Sequence, residues 1–186
     1  MYKRQSLSSP SAVDMVHYAL AVSDNLYCDT FYKTIGAQHS GVGSWESGSN
    51  GVKKHLNKLK LSTDGYHQED GSGLTMRNRI SADFLTSFLR KVYQSLGREA
   101  FLQLLPKAGK DGSVKNFLTG SAAQEAVWAK SGSVNGVLAY AGIMAATTGE
   151  PLFFSLNVNG HQTSNGVIRR KMEAMLDVIY KGNIVD

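Results

Sequence analysis

One stretch, residues 128–146, constrains the fold more than any other, because two strand-length runs, the second of them apolar, flank a turn in it. The first run carries Lys130, which is followed by Ser131, Gly132 and Ser133. This pattern predicts two antiparallel strands with a charged edge that is rich in hydrogen-bond donors. Such an edge suits an extended anionic peptide, although an ordinary hairpin with a surface lysine would show the same pattern. Because glycine leaves the strand backbone accessible, the Ser133 N–H can act as an oxyanion donor.

The rest of the chain predicts helices on both sides of this hairpin and one further strand. Before the hairpin we expect first a helix from Ser11 to Ala21 with Val13, Val16 and Leu20 on one face, and then a helix that starts within Ser23-Asp24-Asn25, buries Leu26, Phe31 and Ile35 and stops at Gly36. A loop over residues 38–51, a short helix with Val52, Leu56 and Leu59, and a tight turn over residues 70–74 should follow. The last elements before the hairpin are a helix from Ser81, with Phe84, Leu85, Phe88, Leu89 and Val92 as its apolar stripe, and one or two helical turns from Phe101 to Leu105. After it we expect a strand over residues 152–159, joined through a turn at residues 148–151, and a closing helix with Ile168, Met172, Met175, Leu176 and Ile179 on one face. These elements predict an α+β fold, with an antiparallel sheet of about three strands and flanking helices.

A polar triplet, Ser23-Asp24-Asn25, falls between the first two predicted helices. A loop that is anchored at both ends by packed helices holds its side chains in fixed directions, as a catalytic group requires. Asp24 or Asn25 can equally serve as the cap of the second helix. On the residues alone both interpretations stay open.

Composition excludes several classes of protein. The 186 residues, 42% of them hydrophobic, suffice for one domain with a core. The formal net charge is +5, but the 20 Lys and Arg residues are scattered and do not alternate with aromatics, so we expect no nucleic-acid partner. Cys28 is the single cysteine and the five histidines form no helical i, i+4 pair, so we expect no disulfide, metal or cofactor. We also expect no transmembrane span, and the first residues lack the apolar core of a signal peptide.

Two short motifs, Ser23-Asp24-Asn25 and Lys130-Ser131-Gly132, occur in the order of the second and third signatures of serine penicillin-recognising enzymes. The resemblance also includes Ser9-Pro10, the run Asp70-Gly71-Ser72-Gly73-Leu74, residues 78–81, residues 105–112 and Ala141-Gly142. From about Leu7 to Asn159 the chain resembles low-molecular-mass penicillin-binding proteins of the D-Ala-D-Ala carboxypeptidase/endopeptidase type. This resemblance implies a partial β-lactamase/transpeptidase-like fold.

The chain departs from the family pattern in two places. Ser131 stands where the family usually carries threonine, which keeps the hydroxyl and loses only a methyl group. No lysine in the chain has a serine three residues before it, so the first family signature, Ser-x-x-Lys, is absent. We therefore interpret residues 1–186 as a single truncated domain, the C-terminal part of a longer enzyme, whose missing N-terminal segment would be a partner.

The resemblance implies a role for each matched residue. The catalytic residues would be Ser23, Asn25 and Lys130, and the substrate-binding residues would be Ser131, Gly132, Ser133 and Leu74. Ser23, helped by Lys130, would pass a proton to the departing D-Ala amine, and Asn25 would orient the substrate amide. Ser131 would donate to the C-terminal carboxylate, and the Ser133 N–H would form half of the oxyanion hole. Leu74 would line the side of the cleft.

The leading hypothesis is a periplasmic or extracellular serine peptidase that cleaves peptidoglycan stem peptides ending in D-Ala-D-Ala through an acyl-enzyme and also binds β-lactams. This chain would hold its substrate-binding half and would be inactive alone. The alternative is a non-catalytic module of the same fold that binds peptidoglycan peptides without cleaving them. We also expect the chain alone to self-associate through the outer edge of its third strand.

Overall fold

The computed structural model describes residue 6 and residues 8–145 and 151–182. In chain order its elements are α1 (Ala12–Val22), α2 (Asn25–Ser40), α3 (Trp45–Lys58), β1 (Tyr66–His67), β2 (Arg79–Ile80), α4 (Ala82–Leu96), α5 (Arg98–Leu104), β3 (Val127–Val134), β4 (Val137–Ala145), β5 (Pro151–Asn159) and α6 (Asn165–Tyr180). Two 3-10 turns, Gly112–Val114 and Gln124–Ala126, lie between α5 and β3. The predicted α+β class is confirmed.

The main sheet has the strand order β3-β4-β5, with both pairs antiparallel. Val134 pairs with Val137 across the turn, and Gly136 there has a φ of 71°, which glycine adopts without strain. The predicted hairpin and third strand are therefore confirmed. The connecting turn predicted at residues 148–151 lies outside the described residues except for Pro151. Among the described residues β5 pairs with β4 alone, and self-association through its outer edge stays a prediction.

The sheet lies between two helical layers because its side chains alternate between its two faces. Leu138, Tyr140 and Met144 of β4 pack in one core with α6, whereas Ile143 packs in a second core with α4 and α5. On α6 the predicted stripe is buried at Ile168, Met172 and Leu176. The prediction was wrong for Met175, which is 45% exposed because it lies at the margin of the buried face.

The α2–α3 pair differs from the sequence-based expectation. The loop predicted over residues 38–51 is wrong, because α3 begins at Trp45 after a reciprocal cap between Ser44 and Ser47. Gly36 does not end α2: it is buried inside the helix, and α2 continues to Ser40. A Cβ on Gly36 would lie 2.6 Å from the Gly48 nitrogen, so the two helices touch through glycines.

This close contact decides which face of α2 is buried. Tyr32 and Gly36 are the buried residues of the helix. Leu26 and Ile35, which we expected to be buried, are 75% and 39% exposed. Ile35 nevertheless contacts α3, since a Cβ on Gly51 would lie 2.8 Å from its Cγ2.

Candidate functional site

The junction between α1 and α2 holds Ser23 in an uncommon backbone conformation. Ser23 ends α1 with a φ of 60° and a ψ of 50°, the left-handed region. Asp24 caps α2, since its Oδ1 accepts the Tyr27 N–H over 3.0 Å. The capping interpretation therefore holds for Asp24, and the Ser23 side chain is left to contact the sheet.

Lys130 reaches this junction from β3. Its Nζ donates to Ser23 Oγ over 2.5 Å and also to the Ser131 carbonyl oxygen. Burial lowers the pKa of Lys130 from its ordinary value of 10.5, against a smaller opposing effect of Cys28. The structure thus joins two of the predicted catalytic residues, 107 positions apart, in one direct hydrogen bond. A lysine with a lowered pKa beside a hydroxyl group can exchange a proton with it more easily than an exposed lysine.

The outer edge of β3 is accessible beside this hydrogen bond. The Ala129 N–H donates to the Pro106 carbonyl over 3.0 Å, on the side away from β4. Because every second residue of a strand points its N–H to the same side, the Ser131 and Ser133 N–H groups also point away from β4. Among the described residues, β3 is an edge strand, and Gly132 and Ser133 are exposed. An extended ligand can therefore reach the backbone there.

The hydroxyl of Ser131 faces a residue that sequence reasoning missed. Ser131 Oγ donates to Ser113 Oγ over 2.8 Å, and Ser113 belongs to the first 3-10 turn. Gly112 packs this turn against the end of α1, since a Cβ there would lie 2.6 Å from the Ala21 carbonyl carbon. The one signal for Ser113 was its position directly after the family-like run at residues 105–112.

Ser133 lies at the start of a second polar region. Its Oγ accepts from Asn165 Nδ2 over 2.8 Å, at the first residue of α6. Ser133 also lines a cavity of about 510 Å³, together with residues 134–136 and 161–165. The end of β3 is therefore continuous with a polar depression at the N-terminus of α6.

Asn25 and Leu74 lie on neighbouring elements. Asn25 is the exposed first residue of α2, directly after the Ser23-Asp24 junction. Leu74 is 61% exposed on a loop that docks on α2, because Asp29 Oδ1 accepts the N–H groups of Gly71 and Ser72 over 3.0 and 2.9 Å. Leu74 lines a cavity of about 700 Å³ that also includes Asp29.

The structure thus brings Ser23, Lys130 and Ser131 together and connects Leu74 to them through α2.

Within the described part of the chain, no group of three or more His, Cys, Asp or Glu side chains could hold a metal ion. No helix in that part is long and apolar enough to cross a membrane.

Solved structures identify the class of fold. Penicillin binding protein 4 (dacB) from Haemophilus influenzae matches with a TM-score of 0.82 at 23% identity, covering 90% of this chain and 39% of that one. An extended-spectrum β-lactamase, TLA-1, matches with a TM-score of 0.69 at 17% identity, covering 94% of this chain and 65% of that one. The fold is therefore the one shared by a penicillin-binding protein and a β-lactamase, and the chain contains part of it.

Sequence comparison gives the family. The D-Ala-D-Ala carboxypeptidase 3 (S13) family matches residues 5–181, and the chain belongs to this family. It is 34% identical over 144 residues to a D-alanyl-D-alanine carboxypeptidase of Actinomadura sp. (strain R39), covering 75% of this chain and 27% of the relative. It is 29% identical over 172 residues to penicillin-sensitive carboxypeptidase A of Dictyostelium discoideum, covering 88% of this chain and 33% of the relative. The resemblance seen in the sequence is confirmed, and the chain spans about a third of these relatives' length.

Proposed function

We propose that this chain carries the substrate-binding half of a serine-type D-Ala-D-Ala carboxypeptidase or endopeptidase acting on peptidoglycan stem peptides. One observation carries the proposal: the hydrogen bond from Lys130 to Ser23 lies beside the accessible edge of β3. Family membership supports the reaction class. A peptidoglycan substrate would be met in the periplasm or outside the cell, where β-lactams would compete with it.

The peptide would bind as an added strand along β3, since an exposed edge offers backbone N–H groups to an extended ligand. Ser131 would donate to its C-terminal carboxylate, and the Lys130 ammonium would attract the same charge. The Ser133 N–H would donate to the scissile carbonyl oxygen as negative charge develops there. Asn25 would orient the neighbouring amide from the start of α2.

Proton transfer would use the Lys130–Ser23 hydrogen bond. As the acyl-enzyme forms, the bond between the carbonyl carbon and the D-Ala nitrogen breaks, and the departing amine needs a proton. Ser23 Oγ–H would supply it and would recover a proton from Lys130 Nζ. Burial favours this step, because it lowers the pKa of Lys130.

The acylated serine would come from outside residues 1–186, which contain no Ser-x-x-Lys. That absence is also the observation that favours the second candidate, a module of the same fold that binds stem peptides without cleaving them. The two candidates differ in one respect, which is whether the complete reading frame supplies the nucleophile.

Labelling by a fluorescent penicillin separates the candidates. The product of the complete reading frame should be labelled, and Lys130→Ala should lower the labelling rate by about 10²-fold or more, as is typical when a catalytic electrostatic group is lost. The control is Lys171→Ala, because Lys171 is an exposed residue of α6 and is not one of the proposed site residues. Equal labelling of wild type and Lys130→Ala would contradict the proposal. Peptide binding with no labelling of the complete product would favour the binding module.

A further inference from the structure

Two hydroxyl groups meet beside the accessible edge of β3. Ser131 Oγ donates to Ser113 Oγ over 2.8 Å, although the residues come from separate elements. Ser113 is exposed and Ser131 is half-buried. The pair is therefore accessible to a ligand that approaches β3.

The turn that carries Ser113 is fixed on both sides. Gly112 sits against the Ala21 carbonyl with no room for a Cβ, and Val114 is fully buried in the core behind the sheet. Val114 also closes the turn, because its carbonyl accepts the Gly109 N–H over 3.0 Å. The Ser113 hydroxyl is therefore held in place before any ligand arrives, as a binding group requires.

Local charges favour an anion at this pair. The Lys130 ammonium donates to the Ser131 carbonyl oxygen, which places a positive charge against the residue that carries one of the two hydroxyl groups. The carboxylate nearest in sequence to Ser113 is that of Asp111, which opposes an anion there, and its Oδ2 accepts the Lys107 N–H over 3.3 Å. Each serine hydroxyl has one hydrogen, which can rotate toward a new acceptor.

We propose that Ser113 is a substrate-binding residue that holds the C-terminal carboxylate of the peptide together with Ser131, each hydroxyl donating to one carboxylate oxygen. This inference rests on the proposed function, which puts that carboxylate at Ser131. When the ligand binds, the Ser131 hydrogen turns from Ser113 Oγ to the carboxylate, and the Ser113 hydrogen donates to the second oxygen. Hydrogen bonds to a charged acceptor are stronger than the hydroxyl–hydroxyl bond they replace.

The test compares two peptides on this chain by NMR titration: diacetyl-Lys-D-Ala-D-Ala with a free C-terminal carboxylate, and the same peptide with a C-terminal amide. Ser113→Ala should weaken binding of the carboxylate peptide by roughly tenfold, the usual value of one hydrogen bond to a charged group. Binding of the amide peptide should not change. Ser113→Thr keeps the hydroxyl and should restore binding. Thr119→Ala, which removes an exposed hydroxyl six residues further along the chain, should change neither affinity.

The outcomes separate this inference from the proposed function. A wild-type chain that binds both peptides equally would show that the carboxylate does not contact this edge, and would overturn the proposed function together with this inference. If wild type prefers the carboxylate peptide and Ser113→Ala keeps the full preference, the role of Ser113 alone is overturned. Equal weakening of both peptides by Ser113→Ala would assign the residue a purely structural role.

Discussion

Behind β3, large apolar side chains of α6 and the sheet fill the space between the layers, and Leu176 and Met144 are completely buried there. Further along α2 from Asn25, by contrast, α2 and α3 approach each other through residues with little or no side chain. Gly36, Ser47 and Gly48 form that contact, and a Cβ on Gly48 would lie 2.5 Å from the Tyr32 ring. Large buried side chains stabilise the sheet core, whereas the contact between α2 and α3 requires small side chains or none.

This difference matters because each region supports a different part of the candidate site. The sheet positions Lys130 and Ser131, while α2 positions Asn25 and, through Asp29, the loop with Leu74. Truncation should therefore damage the first support and enlargement the second.

The largest expected effect is in the sheet core. Leu176→Ala should lower the free energy of unfolding by about 2–5 kcal/mol, because it opens a cavity in a fully packed core. Met175→Ala is the matched control on the same helix, and it should cost much less because Met175 is 45% exposed. Chemical denaturation of both variants checks this. Similar losses for the two would mean that α6 does not pack as described.

The next largest effect comes from adding a side chain instead of removing one. Gly36→Ala adds one methyl group and should lower the free energy of unfolding by about 1–3 kcal/mol, because the Gly48 backbone lies in its way. Gly166→Ala on α6, where an added Cβ has its nearest neighbours at 3.8 Å, should be neutral or stabilising by about 0.5–1 kcal/mol. If both variants were stabilised, the close contact between α2 and α3 would be refuted.

A smaller effect tests how α2 holds the Leu74 loop. Asp29→Ala removes the acceptor for the Gly71 and Ser72 N–H groups and should cost about 1–3 kcal/mol locally. Amide hydrogen exchange at those two positions should become faster. Asp29→Asn keeps the Oδ1 acceptor and should lie between wild type and the alanine variant. Unchanged exchange in Asp29→Ala would contradict the contact.

The smallest effect on stability is expected at Lys130. The pKa of Lys130 is lowered in the folded state, so its protonated form destabilises the fold at pH values below that folded pKa. Lys130→Met should therefore be at least as stable as wild type at neutral pH. Its advantage should shrink as the pH rises from the folded pKa toward 10.5, the unfolded value.

Urea denaturation at neutral and alkaline pH measures this difference. Lys115→Met is the control, because Lys115 is exposed. A large loss of stability in Lys130→Met at neutral pH would show that the lysine serves the fold more than the site.

Sequence pattern predicted the sheet because its signals are local. The apolar runs around the turn at Asn135-Gly136 determine the strand register, and the motifs at Ser23 and Lys130 pointed to the contact between them. The sequence pattern did not predict the start of α3, because Gly48 and Gly51 have low helix propensity. These glycines favour the helix only because they allow α2 to approach α3 closely.

Ser113 was missed for a related reason. Its contact with Ser131 depends on how the first 3-10 turn packs against α1, and a serine in a turn has no periodic pattern that would reveal such a contact. Leu26 was expected to be buried from its hydrophobicity alone, whereas the buried residues of α2 are Tyr32 and Gly36.

The β3 edge beside Ser23 and Lys130 is where we propose that the peptide binds, and every other role follows from that placement. The most direct measurement is an NMR map of amide shifts as diacetyl-Lys-D-Ala-D-Ala is added to the chain. We predict that the amides of Ser131 and Ser133 shift most, with smaller changes at Asn25. Shifts centred on α3 and the loop with Leu74, with β3 unaffected, would contradict this placement.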